Sequence, residues 1–316
     1  MRGCTIGVDL GGTKLLAGAV AADGTVLARE RREIAGLGLE DVLTATAEAA
    51  QAAAAVAGVE VAAAGFGIPS LIDRRRGLSV SCVHLPLDDV PFAALVRERL
   101  GVPVAVDNDA NCAVLAEWRL GAARGCDHVV LLTLGTGIGG GLVLGGSLYR
   151  GSVGAGGELG HVPVDMLGPP CFDGCPGRGC LEALCSGKAL ERDARAAAAA
   201  APGSPLAQDL AGRGSIGGER VTELARAGDP VAQELLHALG TRLGAGLAGI
   251  AMTFNPEVIV VGGGVMGAGE LILAPARAEL ARRALAPSKD VPVVAAELGP
   301  EAGMIGAALL AAEGAQ

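Results

Sequence analysis

One histidine and three cysteines, His161, Cys171, Cys175 and Cys180, lie in one short stretch of the chain. Thiolate and neutral imidazole are the ligands that tetrahedral zinc prefers, and four of them complete its coordination. A complete set leaves no open position for water, so we expect a zinc ion that holds a loop and activates no nucleophile. The alternative is that these are ordinary small, buried cysteines.

Two glycine-rich loops follow apolar strands. Glycines let backbone N–H groups approach phosphate oxygens, and Lys14 and the threonines Thr13 and Thr136 add donors. Asp9, before the first loop, can hold the water shell of a nucleotide-bound Mg2+. Tight turns between strands use the same residue types, so simple hairpins are the alternative. The two loops are Gly11-Gly12-Thr13-Lys14 and Gly135-Thr136-Gly137-Ile138-Gly139-Gly140, and a third glycine run, Gly262-Gly263-Gly264, could meet the adenosine or simply turn the chain.

The turn Asp107–Asn111 is the candidate catalytic segment, because it joins a predicted strand to a predicted helix. Asp109 could accept the proton of a substrate hydroxyl as its oxygen attacks phosphorus, and Asn108 could hydrogen-bond the substrate. Asp and Asn are also favoured as helix N-caps, and both interpretations can hold at once.

The order strand, glycine loop, strand, tight turn, strand occurs twice and predicts an internal duplication of one α/β unit. Two such halves would face each other across a cleft. We predict an N-terminal domain of residues 1–107 plus 303–316 and a C-terminal domain of residues 108–302 with the zinc loop. We also predict one helix over Leu181–Ala201 and an exposed loop over Pro202–Gly218.

The composition is that of a globular chain, with 51% hydrophobic and 2% aromatic residues among 316. A formal net charge of -9 argues against nucleic acid as a partner. We expect no membrane span once glycine-rich turns are removed, and an aspartate interrupts the first apolar run, unlike in a signal peptide. Eight cysteines in such a chain indicate reduced thiols and a cytoplasmic location.

Taken in order, these motifs resemble the ROK family (repressor, open reading frame, kinase) of sugar kinases. The resemblance runs from Thr5 to the Gly303–Ala308 tail and includes Asn108-Asp109-Ala110-Asn111, Glu158-Leu159-Gly160-His161 and Gly179-Cys180-Leu181-Glu182. It implies an α/β fold of two duplicated ribonuclease-H-like (actin-like ATPase) domains around a central cleft. It also implies ATP-dependent phosphorylation of a hexose at the 6-hydroxyl, with glucose as the leading substrate and a homodimer or homotetramer as the assembly.

The resemblance assigns roles residue by residue. Asp109 is the general base, and His161 uses one ring nitrogen for zinc and the other for sugar. Zinc loss is then expected to weaken sugar binding strongly and ATP binding much less, because the glycine loops lie on other segments. Sugar contacts fall on Gly67, Pro69, His84, Asn108, Asp109, Glu158, His161 and Glu182. Contacts to ATP and Mg2+ fall on Asp9, Gly11, Gly12, Thr13, Lys14, Gly135, Thr136, Gly137, Gly263 and Gly264.

Two departures from the family pattern leave alternatives open. Phe172-Asp173-Gly174 replace a single residue between the first two cysteines, so Asp173 could substitute for Cys171 as a zinc ligand. His84 stands where the family often has Asn, which leaves its role and the sugar identity open, with N-acetylmannosamine, fructose and allose beside glucose. Polyphosphate remains open as a donor. A sugar-responsive ROK repressor is disfavoured because only eight residues precede Asp9, and an actin-like filament protein has no need of the Glu158–Glu182 site.

Overall fold

The computed structural model describes residues 4–314 as a mixed α/β protein, and the parts of the predicted domains in residues 1–3 and 315–316 lie outside these residues. The strands are β1 (Cys4–Leu10), β2 (Lys14–Val20), β3 (Val26–Glu33), β4 (Val61–Ile68), β5 (Leu71–Asp73), β6 (Leu78–Ser81), β7 (Val104–Asn108), β8 (Val129–Leu134), β9 (Ile138–Leu144), β10 (Ser147–Tyr149), β11 (Val258–Gly262) and β12 (Val293–Ala295). The helices are α1 (Leu39–Ala57), α2 (Phe92–Leu100), α3 (Asp109–Arg119), α4 (Leu181–Cys185), α5 (Gly187–Ala200), α6 (Pro205–Arg213), α7 (Gly218–Arg226), α8 (Pro230–Phe254), α9 (Glu270–Arg283) and α10 (Ala302–Gly314).

Two five-stranded sheets share one strand order, which confirms the predicted duplication. The first sheet runs β3-β2-β1-β4-β7, and the second runs β10-β9-β8-β11-β12. In the first, β1, β2 and β3 pair antiparallel, whereas β1, β4 and β7 pair parallel. Parallel pairing aligns the carboxyl ends of β1, β4 and β7, and polar residues that end these strands therefore meet at one edge.

The chain divides into two compact units. The first comprises residues up to 131 with 141–157 and 297 onward, and the second comprises 132–140 and 158–296. This division differs from the predicted boundary after residue 107, which placed α3 in the second domain. Helix α3 belongs to the first unit because it packs on α10, where Gly306 lies directly against the Cys112 carbonyl.

Helix α8 corrects the expectation that no apolar stretch is long enough to cross a membrane. Within residues 4–314, this one helix of 25 residues meets that test by length and composition, and 56% of its most apolar window is buried in the protein. The expectation failed because Gly240 and Gly244 are helical and pack against α9, whereas the sequence suggested turns. Core helices pass the same test, so α8 is weak evidence for a membrane span.

Two local predictions in the second unit are wrong. The helix predicted over Leu181–Ala201 is broken at Ser186, whose hydroxyl accepts the Ala189 N–H at 3.2 Å and caps α5. The loop predicted over Pro202–Gly218 contains α6, which Ser204 caps. In both places a serine N-cap starts a new helix.

The contact between α3 and α10 generates a stability prediction. We expect Gly306→Ala to lower the free energy of unfolding by roughly 2 kcal/mol, because a Cβ there would overlap the Cys112 carbonyl and push two helices apart. Gly314→Ala in the same helix meets no atom within 4 Å and is the matched control. Urea unfolding of both variants provides the measurement, and equal stabilities would contradict the close packing.

Candidate active site

The turn between β7 and α3 carries the predicted general base, Asp109, and the predicted sugar ligand, Asn108. Asn108 is the N-cap of α3, and its Oδ1 accepts the N–H groups of Ala110 at 2.9 Å and Asn111 at 3.3 Å. Asp109 is the first helical residue, and its Oδ1 accepts the Ala110 N–H at 2.8 Å. Capping therefore engages one oxygen of each side chain. The capping interpretation holds, and the catalytic role of Asp109 stays a prediction.

Asp9 and Asp109 lie close together in the first unit. The register pairs Asp9 with Gly67 of β4, and Gly67 with Asp107 of β7, so the carboxylate-bearing ends of β1 and β7 flank the end of β4. Burial and the negative charge of Asp109 raise the pKa of Asp9 to about 7. Burial also raises the pKa of Asp109, while the Ala110 N–H opposes that shift. Two carboxyl groups in this environment fit a site for a cation.

His84 lies beside the first glycine loop. A Cβ on Gly12 would lie 2.8 Å from the His84 Cβ, so only glycine allows this approach. Burial raises the pKa of Asp109, and a charge interaction with His84 opposes that shift. The loop itself is a tight turn in which the Gly11 N–H donates to the Lys14 carbonyl at 2.8 Å. His84, Gly12 and Asp109 thus form one neighbourhood in the first unit.

The other predicted residues of the first unit surround this neighbourhood. Pro69 follows β4, and its carbonyl accepts the Cys82 thiol at 3.2 Å. Thr13 is exposed in the turn, where its carbonyl accepts the Ile34 N–H. Lys14 begins β2 and is exposed.

A partly buried ion pair, which no sequence pattern predicts, supports the candidate catalytic turn. Asp107 is 2% exposed, and its Oδ2 accepts the Arg150 Nε–H at 2.6 Å. Its Oδ1 accepts the Asn108 N–H at 2.9 Å and an Asn111 amide hydrogen at 3.0 Å. Asp107 therefore fixes the turn that presents Asn108 and Asp109. Arg150 follows a short hairpin strand far along the chain, and no local pattern marks it.

The structure brings the four predicted metal ligands together in the second unit. One donor atom from each of His161, Cys171, Cys175 and Cys180 lies within 4.8 Å of all the others. The Cys171 Sγ and His161 Nδ1 are 3.6 Å apart. Tetrahedral zinc with bonds of about 2.3 Å to sulfur and about 2.0 Å to nitrogen places such ligands at about 3.6 Å. The donor set and its spacing therefore fit zinc.

Asp173 does not take part in this cluster. Both of its oxygens accept from the Lys188 ammonium, at 2.5 Å and 2.6 Å. The carboxylate therefore points to α5, and Cys171 supplies the fourth donor of the cluster.

Glu182 contacts the second glycine loop, although the two lie on different segments of the sequence. The side chain is 6% exposed, and its Oε2 accepts the Ile138 N–H at 2.7 Å. Gly137 lies so close to Oε2 that a Cβ would overlap it. The other oxygen, Oε1, is 4.0 Å from the Cys171 Sγ. Glu182, next to the cluster ligands, thus contacts the second glycine loop, which is distant in sequence but adjacent in space.

The remaining predicted site residues of the second unit lie just before the ligand His161 or in the glycine loops. Glu158 is exposed just before a 3-10 turn, and its carbonyl accepts the His161 N–H at 3.1 Å. Gly135, Thr136 and Gly137 connect β8 to β9. Gly263 follows β11 and packs against the carbonyl of Leu134, so it and Gly264 lie beside the Gly135 loop.

Comparison with known proteins reveals full-length relatives. The ROK family profile matches residues 5–314. A glucokinase of Streptomyces coelicolor is 37% identical over 98% of this chain and 98% of its own, and a glucokinase of Thermotoga maritima is 39% identical over 98% and 97%. The crystal structure of a ROK family glucokinase from Streptomyces griseus, in complex with glucose and AMPPNP, aligns with a TM-score of 0.87 at 38% identity over 98% of this chain and 100% of that one. The fold is accordingly the predicted actin-like ATPase fold, and the chain belongs to the ROK family.

Proposed function

We propose that this protein is an ATP-dependent sugar kinase that phosphorylates a hexose, preferably glucose, at its 6-hydroxyl. The observation that carries the proposal is the pairing of Asp9 and Asp109 beside a glycine loop, because one carboxylate suits a metal–nucleotide complex and the other suits a proton acceptor. Glucokinases that match this chain over nearly its whole length support the same activity.

Asp109 acts as the general base. It accepts the proton of the 6-hydroxyl as that oxygen forms a bond to the γ-phosphorus, while the bond from this phosphorus to the ADP oxygen breaks. Asn108 donates from its amide to the sugar. Because Asp107 and Arg150 hold the turn, Asp109 is positioned before substrate arrives.

The glycine loops bind the nucleotide. In this proposal Gly11–Lys14 and Gly135–Gly137 donate to phosphate oxygens, while Gly263 and Gly264 face the adenosine. Asp9 would hold the hydrated Mg2+, which would supply charge neutralisation. The raised pKa of Asp9 supports this role, because a divalent cation would relieve the repulsion between Asp9 and Asp109.

The metal cluster has a structural role. His161 Nδ1 lies 3.6 Å from the Cys171 Sγ, which would leave Nε2 for a sugar hydroxyl, and Glu158 and Glu182 would provide further sugar contacts. Four protein ligands complete the coordination of zinc, so the ion fixes ligands and activates no water. Gly67, Pro69 and His84 complete the proposed sugar contacts.

The thiols of the cluster must remain reduced, and we therefore propose that the enzyme acts in the cytoplasm. We also propose that it forms a homodimer or homotetramer, which sedimentation equilibrium would distinguish.

A coupled assay with ATP and a panel of hexoses tests the proposed activity. We expect the highest kcat/KM with glucose, and lower values with N-acetylmannosamine and fructose, which differ by an N-acetyl group or by ring form. Asp109→Asn should lower kcat by a factor on the order of 10² or more while glucose still binds, because the proton acceptor is lost and its shape is kept. Near-normal turnover of Asp109→Asn would show that Asp109 serves only as a helix cap.

The ionised carboxylate of Asp9 should lower the stability of the folded protein at neutral pH. Its folded-state pKa of about 7 lies above the unfolded value near 3.9, so the folded state loses stability as pH rises between these values. Asp9→Asn should therefore raise Tm by a few degrees at pH 8, with little change near pH 4, while it weakens use of Mg-ATP.

Asp23→Asn is a control of opposite sign for this experiment. The Thr25 N–H lowers the pKa of Asp23, so loss of that charge should lower Tm slightly at pH 8. A lower Tm for Asp9→Asn at pH 8 would show that Asp9 is a structural residue instead.

Purified protein should contain about one zinc per chain, the stoichiometry of a single closed four-ligand site. Elemental analysis provides the measurement. Cys171→Ser should lower the zinc content, whereas Cys126→Ser, outside the cluster, should not. Retention of full zinc content by Cys171→Ser would contradict the geometric assignment of the fourth ligand.

A further inference from the structure

Lys188, at the start of α5, contacts the second glycine loop through its backbone. Its N–H donates to the Thr136 carbonyl at 3.4 Å, and the preceding Gly187 N–H donates to the Gly135 carbonyl at 2.8 Å. The break at Ser186 makes this possible, because it lets α5 begin directly at the loop.

The Lys188 side chain reaches in the other direction, to the metal-binding loop. Its ammonium donates to both oxygens of Asp173, at 2.5 Å and 2.6 Å, and lies 5.7 Å from the centre of the Phe172 ring. Phe172 and Asp173 stand between the cluster ligands Cys171 and Cys175. The ion pair is partly exposed, with side chains 31% and 27% accessible, and such pairs add little to global stability.

Two more contacts join the same segments. Glu182 accepts the Ile138 N–H, and Gly160, next to the cluster ligand His161, packs directly against the Ile138 carbonyl. Residues flanking the metal ligands therefore hold the glycine loop at its end, and Lys188 ties its start to Asp173.

We propose that Lys188 is a positioning residue through which the metal-binding loop sets the conformation of the Gly135–Gly137 loop and hence the affinity for the nucleotide. The inference rests on the proposed function, in which this loop binds ATP phosphates. The Lys188 N–H holds the Thr136 carbonyl beside the Gly187 N–H on the Gly135 carbonyl, so Lys188 acts on the loop through the backbone of α5 and not by contact with phosphate. Loss of the metal consequently weakens nucleotide binding as well as sugar binding, whereas loss of the Lys188 side chain weakens nucleotide binding alone.

The test is calorimetric titration of metal-loaded protein with AMPPNP and, separately, with glucose, together with elemental analysis. We expect Lys188→Met to raise the Kd for AMPPNP by about three- to tenfold, with the zinc content and the Kd for glucose unchanged. Asp173→Asn should have a similar effect, and the double variant should be no worse than either single variant. Lys188→Arg should largely restore affinity, because it can still pair with Asp173.

Arg195→Met is the matched control, since it removes another exposed ion pair of α5, with Glu191, and should change neither Kd. An unchanged Kd for AMPPNP in Lys188→Met would overturn the inference. Equal losses for glucose and AMPPNP with zinc depletion would also overturn it, because Lys188 would then only stabilise the metal loop. Weaker binding in Lys188→Met but not in Asp173→Asn would instead indicate direct contact of Lys188 with phosphate. If the parental protein binds glucose but not AMPPNP, the proposed function fails together with the inference.

Discussion

The backbone register of three parallel strands places Asp9 and Asp107 on either side of Gly67, and the candidate site in the first unit depends on this constraint. Gly67 of β4 pairs with Asp9 on one side and with Asp107 on the other, and Asp109 follows at the start of α3. Asp107 is neutralised by Arg150 and becomes structural. Burial raises the pKa of both Asp9 and Asp109, and the negative charge of Asp109 raises the pKa of Asp9 further. Binding of a metal–nucleotide complex would relieve the repulsion between Asp9 and Asp109. The arrangement of the strands would in this way contribute to the affinity for substrate.

In the second unit, the long segment that carries the metal ligands has little hydrophobic core to order it. Met166 and Leu167, inside the segment that carries the metal ligands, are 89% and 92% exposed. Side chains that remain in water cannot provide the burial that orders a loop. The proposed zinc ion would take over this role, because one ion would fix four side chains at once. The ordered segment then supports the Gly135–Gly137 loop through Glu182 and Lys188.

Features with local signals could be predicted from the sequence. The glycine loops, the capped turn at Asn108 and the helix over Leu39–Ala57 follow from nearby residue types, and the duplication follows from their repeated order. The ligand cluster was visible because zinc ligands keep characteristic spacings. Contacts between distant segments had no such signal. Arg150 meets Asp107 from 43 residues away, and Glu182 meets Ile138 from 44, so both pairs depend on the assembled fold. The glycines of α8 misled the prediction in the same way, because packing against α9 overrides their weak helix propensity.

The pH dependence of kcat/KM for Mg-ATP tests the central claim most directly, because this ratio reports the ionisation of the enzyme before nucleotide binds. If Asp9 and Asp109 act as an ionised pair, activity must fall as pH drops through their raised pKa values, that of Asp9 being about 7. The account predicts an acid limb that begins near pH 7, well above the ordinary range of an aspartate. A profile that stays flat down to pH 5 would contradict it.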